Sequence, residues 1–120
     1  NKGMVTFKLV EKSGTHLVYW YYPEGNEALR PGIIEVDLGS NEINVMELAE
    51  EDWERDISPE ELNEMAEAIN QMKRERGATD FVELATKPEH NIYYGDHAVS
   101  EICKHLKNGE TPEKGMQAWY

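Results

Sequence analysis

The chain carries one cysteine, Cys103, in 120 residues, so no internal disulfide can form. Small secreted domains lean on paired cysteines, and their lack predicts a reducing, cytoplasmic setting. Cations are scarce: 12 Lys and Arg stand against 24 Asp and Glu, a formal net charge of −12. Such a field repels phosphates and anionic headgroups, which argues against a nucleic-acid partner and against a membrane surface. Long apolar runs are missing. The longest, Leu17–Tyr22, falls far short of the ~20 residues that a membrane-spanning helix needs. Lys8, Glu11 and Lys12 interrupt the start, where the apolar stretch of a targeting segment would lie. There is no Gly-x-Gly-x-x-Gly, no Walker loop and no Gly-x-Ser-x-Gly, so none of the chemistries built on those loops has its signature here.

What is present is ordinary globular material, 39% hydrophobic and 30% charged. A chain of this length buries enough surface to fold without a metal or a disulfide, and a single domain is expected over residues 1–120. The negative charge is concentrated. Eleven acids lie between Glu42 and Glu67 with only Arg55 among them, so this stretch holds −10 of the −12.

Periodicity divides the chain in two. Residues 4–10 alternate, with Val5, Phe7 and Leu9 on one face, the period-2 mark of a half-buried strand. Ser13-Gly14 is a turn, and residues 16–22, rich in Val, Tyr and Trp, read as its hairpin partner. A third strand is predicted over residues 33–38 and a fourth over 42–48. In the fourth, Ile43 and Val45 point one way and Met46 and Leu48 the other, which a bulge would explain. Ser58-Pro59-Glu60-Glu61 then gives Ser at the N-cap, Pro at N1 and Glu at N3. Leu62, Met65, Ala66, Ile69 and Met72 follow at helical spacing, Lys73, Arg74 and Arg76 suit the negative end of the helix dipole, and Gly77 supplies the stop. Phe81–Ala85 fits a short turn or a strand. Asp96 is expected to cap a last helix running to about Lys107. The reading is an α+β fold: a four-stranded, mainly antiparallel N-terminal sheet followed by one long and one short helix packed on it.

Few residues carry chemistry by spacing. His97, Glu101 and His105 fall at i, i+4 and i+8 on one broad helix face, but the outer two lie about 12 Å apart along the axis, so one ion cannot take both and no metal site is expected. Cys103 points to the apolar side and reads as core, away from His105. Asp52, Glu54 and Asp56 resemble the opening of a calcium loop, yet Ile57 stands where glycine is required and Asn63 where glutamate is. No cofactor is implied. The aromatics are more suggestive. Tyr19 and Tyr21 lie on one face of the second strand and Trp20 and Tyr22 on the other, and Tyr93 and Tyr94 precede Asp96 and His97. Tyrosine and tryptophan join apolar area to a polar handle and favour interfaces.

The strings Tyr21-Tyr22-Pro23-Glu24-Gly25, Arg30-Pro31-Gly32-Ile33-Ile34 and Tyr93-Tyr94-Gly95-Asp96-His97, with Gly115-Met116-Gln117-Ala118-Trp119, resemble those of short uncharacterised proteins of Gram-positive bacteria. The resemblance implies a bacterial cytoplasmic setting and no mechanism. Three functional classes follow from the residues. One is a non-enzymatic interaction or regulatory domain, using the acidic stretch against a basic protein partner or the aromatic face against a partner or a second copy. Another is a small enzyme with a pocket near Tyr93, Tyr94, Asp96 and His97. The last is an acidic mimic of nucleic acid.

Overall fold

The computed structural model describes residues 2–120. They gather into two compact units, one made of the chain up to Trp53 together with Ile92–Tyr120, the other of Glu54–Asn91. The single domain expected over residues 1–120 thus comprises two compact units.

In the first unit, β1 (Gly3–Ser13), β2 (His16–Pro23), β3 (Gly32–Asp37) and β4 (Glu42–Glu47) follow one another as antiparallel neighbours. These are the four strands that alternation predicts. The bulge is also present: pairing slips between Ile33 and Ile34, opposite Glu47 and Val45, so Met46 has no partner. The sheet has a fifth strand that the sequence analysis misses. The C-terminal segment Lys114–Trp119 pairs antiparallel with β1, giving the order β4-β3-β2-β1 and then this strand. The closing residues Lys114–Trp119 are therefore sheet.

One helix, Tyr93–Lys107, covers one face of this sheet. Val5 and Phe7 from β1, Leu17, Tyr19 and Tyr21 from β2, and Ile34 and Val36 from β3 meet Ala98 and Ile102 of the helix in one buried cluster. Within each strand the residues in that list alternate with others, so each set lies on one face of the sheet. Neither helix of the described residues is long and apolar enough to cross a membrane.

The second unit opens with β5 (Glu54–Ile57) and α1 (Pro59–Glu75), and it closes with β6 (Glu89–Ile92), which pairs with β5. The helix of the first unit is thus α2, and the C-terminal strand is β7. The caps of α1 are those expected. Ser58 Oγ accepts from the Glu61 N–H at 3.2 Å, and Pro59 stands at N1. Gly77, at φ 73°, takes the left-handed turn that ends the helix.

The position of α1 corrects the sequence reading. The long helix belongs to the separate unit, and α2 alone joins the core of the sheet. Met65, Ile69 and Met72, predicted to face inward, are 53%, 44% and 59% exposed. What α1 holds instead is the segment after it, in which residues 79–85 carry neither helix nor strand. Asn63 donates to the Ala85 carbonyl and accepts from the Ala85 N–H, at 3.1 and 2.6 Å. Asn70 treats Val82 in the same way, at 2.9 and 2.7 Å. The spacing is commensurate. Seven helical residues rise about 10.5 Å and return to the same side of the helix, and three extended residues span about 10 Å. Two amides on one helix flank can therefore each clasp a residue of a chain running antiparallel to it, in place of a strand ladder.

Candidate functional site

The sequence singled out Tyr19–Tyr22, and most of these rings are structural. Tyr19 and Tyr21 are fully buried beneath α2. The Tyr19 hydroxyl donates to the Pro112 carbonyl at 2.7 Å, tying the approach to β7 to the core, and burial pushes its pKa up to about 12. On the other face Tyr22 is buried as well, where the turn after β2 folds back. Lys8 Nζ bonds Glu27 at 2.9 Å and lies 5.4 Å from the centre of the Tyr22 ring. Only Trp20 keeps a partly open face, at 38% exposure. Of the four rings of this strand, one is left partly open.

The other predicted aromatics come together. Tyr93, Tyr94 and His97 lie in the first turns of α2 and meet two rings from elsewhere, Trp53 and Trp119. Tyr93 is the hub. It stacks on Trp53 at 4.3 Å and 14°, and stands edge-on to Tyr94, His97 and Trp119. His97 stacks on Trp119 at 3.7 Å and 9°, and the Trp119 Nε1–H donates to the Tyr93 hydroxyl at 3.3 Å. Offset stacks and edge-on contacts are the geometries that aromatic quadrupoles favour. Trp53 forms the outer wall, with 49% of its surface exposed.

One carboxylate sets this arrangement. Asp52 accepts from the backbone N–H groups of Tyr94 and Gly95, at 2.8 and 2.9 Å, and from the Tyr21 hydroxyl at 2.7 Å. It caps the α2 N-terminus from 42 residues away, satisfying donors that a helix start leaves free. Tyr21 in turn accepts from the Ala49 N–H at 3.1 Å. Burial, with the Asp52 charge adding to it, holds the Tyr21 phenol well above its ordinary range. Gly95 permits the close approach, since a Cβ there would lie 2.9 Å from Ile92 and 3.0 Å from Val45 side-chain carbons. The Tyr93 N–H donates to the Trp53 carbonyl at 2.9 Å, fixing the backbone beneath the ring stack.

A second carboxylate borders the cluster. The Tyr94 hydroxyl donates to Glu24 at 2.6 Å, and desolvation with this bond raises the Tyr94 pKa. Asp52 and Glu24 are both held by neutral donors. Tyr94 thus has a carboxylate at each end, Asp52 at its backbone N–H and Glu24 at its hydroxyl.

Asp96 and His97 bond different partners. Asp96 accepts from the Ile92 N–H at 2.9 Å, a bond within the helix start, and the N-cap is Ile92, not Asp96 as the sequence analysis expects. His97 Nδ1 faces Gln117 Oε1 at 2.8 Å. His105 lies 3.4 Å from Glu101 and 3.5 Å from Glu110, so His97 and His105 share no partner. Cys103 is partly buried and borders a shallow hollow with Leu38, Ile43 and Leu106.

The sequence analysis missed Trp53 and Asp52 as members of this site. The signal for Trp53 was present: one large ring inside the acidic string Glu50-Glu51-Asp52-Trp53-Glu54 fits no amphipathic pattern. No local signal marks Asp52: besides the adjacent Trp53 N–H, its partners Tyr21, Tyr94 and Gly95 lie far along the chain. No known protein family, curated protein or solved structure matches the chain.

Proposed function

We propose that this protein is a non-enzymatic interaction domain that takes a basic segment of a partner protein on the Trp53–Tyr93 platform. The observation that carries the reading is the state of Trp53: it is half exposed, yet already stacked on Tyr93, whose neighbour Tyr94 is bonded by Asp52 and Glu24, and among the described residues neither carboxylate is paired with a cation. A guanidinium or ammonium over such a ring gains about 0.5–2 kcal/mol from the quadrupole, and Arg gains more from stacking than Lys. The rings are ordered before binding, which lowers the entropy lost on association. The −10 stretch between Glu42 and Glu67 supplies the long-range field that draws a basic segment in. The separate engagements of Asp96 and His97 support this reading over the enzymatic one.

The test is a titration of Trp fluorescence and heat with Arg-rich and Lys-rich peptides at low and physiological salt. The expected result is saturable binding that weakens as salt rises, favours Arg over Lys, and drops about 2- to 30-fold in Trp53→Ala, the change that about 0.5–2 kcal/mol gives, while Trp20→Ala binds as the parent does. Binding that ignores Trp53, or none at either salt, overturns the reading.

A further inference from the structure

We propose that two copies of this chain associate antiparallel through the exposed stripe of α1. This inference concerns a different unit and surface from the Trp53 platform and does not rest on that reading.

At about 100° per residue, Glu61, Met65, Ile69, Met72 and Arg76 fall within an arc of about 80° on one side of the helix. All five are exposed. The neighbouring flank is occupied, because Asn63 and Asn70 clasp Ala85 and Val82 there and Ala66 is buried. The stripe is what that clasp leaves uncovered. Read along the helix it is acid, Met, Ile, Met, base, and its members are placed symmetrically. The midpoint of Met65 and Met72 and the midpoint of Glu61 and Arg76 are the same point, between Ala68 and Ile69. A two-fold axis through that point sets Met65 against the second copy's Met72 and brings the two Ile69 side chains together at the centre. It also sets Glu61 against the second copy's Arg76, once at each end. A parallel pair would oppose Glu61 to Glu61 and Arg76 to Arg76. Most of the remaining charges on the helix agree in sign, with Glu60, Glu64 and Glu67 in its first half and Lys73 and Arg74 near its end, and Glu75 is the exception. Antiparallel pairing also opposes the helix dipoles. The contact is isologous and closes at two copies.

Three apolar side chains per copy make a contact below the ~1,200 Å² typical of stable complexes, so the association is weak, with a Kd of roughly 10–100 µM. Sedimentation of the full chain from a few micromolar to several hundred micromolar tests it. The weight-average mass should climb from the 13.8 kDa of one chain towards twice that value, and Ile69→Asp should stay monomeric with its helical circular dichroism retained. Charge exchange reads the geometry. Glu61→Arg alone should weaken association at least tenfold, and adding Arg76→Glu in the same chain should restore it. A parent chain that remains monomeric throughout, a dimer indifferent to Ile69→Asp, or a Glu61→Arg loss that Arg76→Glu does not rescue would each overturn the proposal.

Discussion

In the sheet unit the fully buried side chains are large: Tyr19, Tyr21, Leu17, Ile34, Ile102 and Val5. In residues Glu54–Asn91 the buried residues are Ile57, Ala66 and Asn70, and Met65, Ile69, Met72, Phe81 and Leu84 are all exposed. The first unit stands on apolar area removed from water, which is non-directional and tolerant of long sequence separation. The second stands on directed bonds: an N-cap, two asparagine clasps, a Lys73–Asp80 pair at 3.1 Å, and His90 held between Asp56 and Glu54 at 2.8 and 2.9 Å. Such a unit opens at modest cost and keeps its apolar side chains available to others. The candidate surfaces follow the same division. The aromatic platform is pre-ordered by the sheet and α2, whereas the α1 stripe belongs to the softer unit.

Four perturbations sharpen that contrast. Ile102→Ala removes the centre of the α2–sheet contact and should cost about 2–5 kcal/mol, read as a lower denaturation midpoint of the whole sheet. Asp52→Ala orphans the Tyr21 hydroxyl and two N–H groups of the helix start, at about 2–4 kcal/mol. It should loosen the Trp53–Tyr93 stack, seen as a changed near-ultraviolet circular dichroism. Asn70→Ala should cost about 1–2 kcal/mol and confine its effect to the second unit, speeding amide exchange at Val82 while the amides of Val5 and Tyr19 keep their rates. The smallest effect is pH-dependent. The bonds to Asp56, then to Glu54, raise the pKa of His90 above its ordinary 6.5. The raised folded-state value means that the β5–β6 stabilisation is complete below about pH 6.5 and is lost as pH rises through the higher folded value. A histidine NMR titration should show the upward shift, and Asp56→Asn should reduce it. An Asn70→Ala change that destabilises the sheet, or a His90 that titrates at or below 6.5, would erase the distinction between the units.

The parts legible in the sequence are those specified by short-range pattern. Val5/Phe7/Leu9 and Leu17/Tyr19/Tyr21 alternate because a half-buried strand needs a period of 2, and Ser58-Pro59 and Gly77 punctuate α1 by local chemistry. The parts that escaped depend on distant partners. Lys114–Trp119 has no β-branched residue and includes Gly115, so only Trp119 in it favours a strand. It becomes one because β1 offers it a ladder from Gly3 to Lys8. The α2 start at Tyr93 depends on Asp52, and the Trp53 side of the aromatic cluster depends on the same long-range bond. The stripe of α1 was visible as amphipathic, but periodicity says only that a face is apolar. It does not say what lies against it, and nothing local to Asn63 or Asn70 points to their partners at Ala85 and Val82.

Native-state hydrogen exchange, resolved by residue across a denaturant series, tests the division of the molecule most directly. The account predicts that α1 and the amides of Val82 and Ala85 exchange through an opening of lower free energy than the amides of Leu17, Tyr19 and Tyr21, with the two groups merging only near the global transition. A single common opening energy for both groups at every denaturant concentration would contradict it.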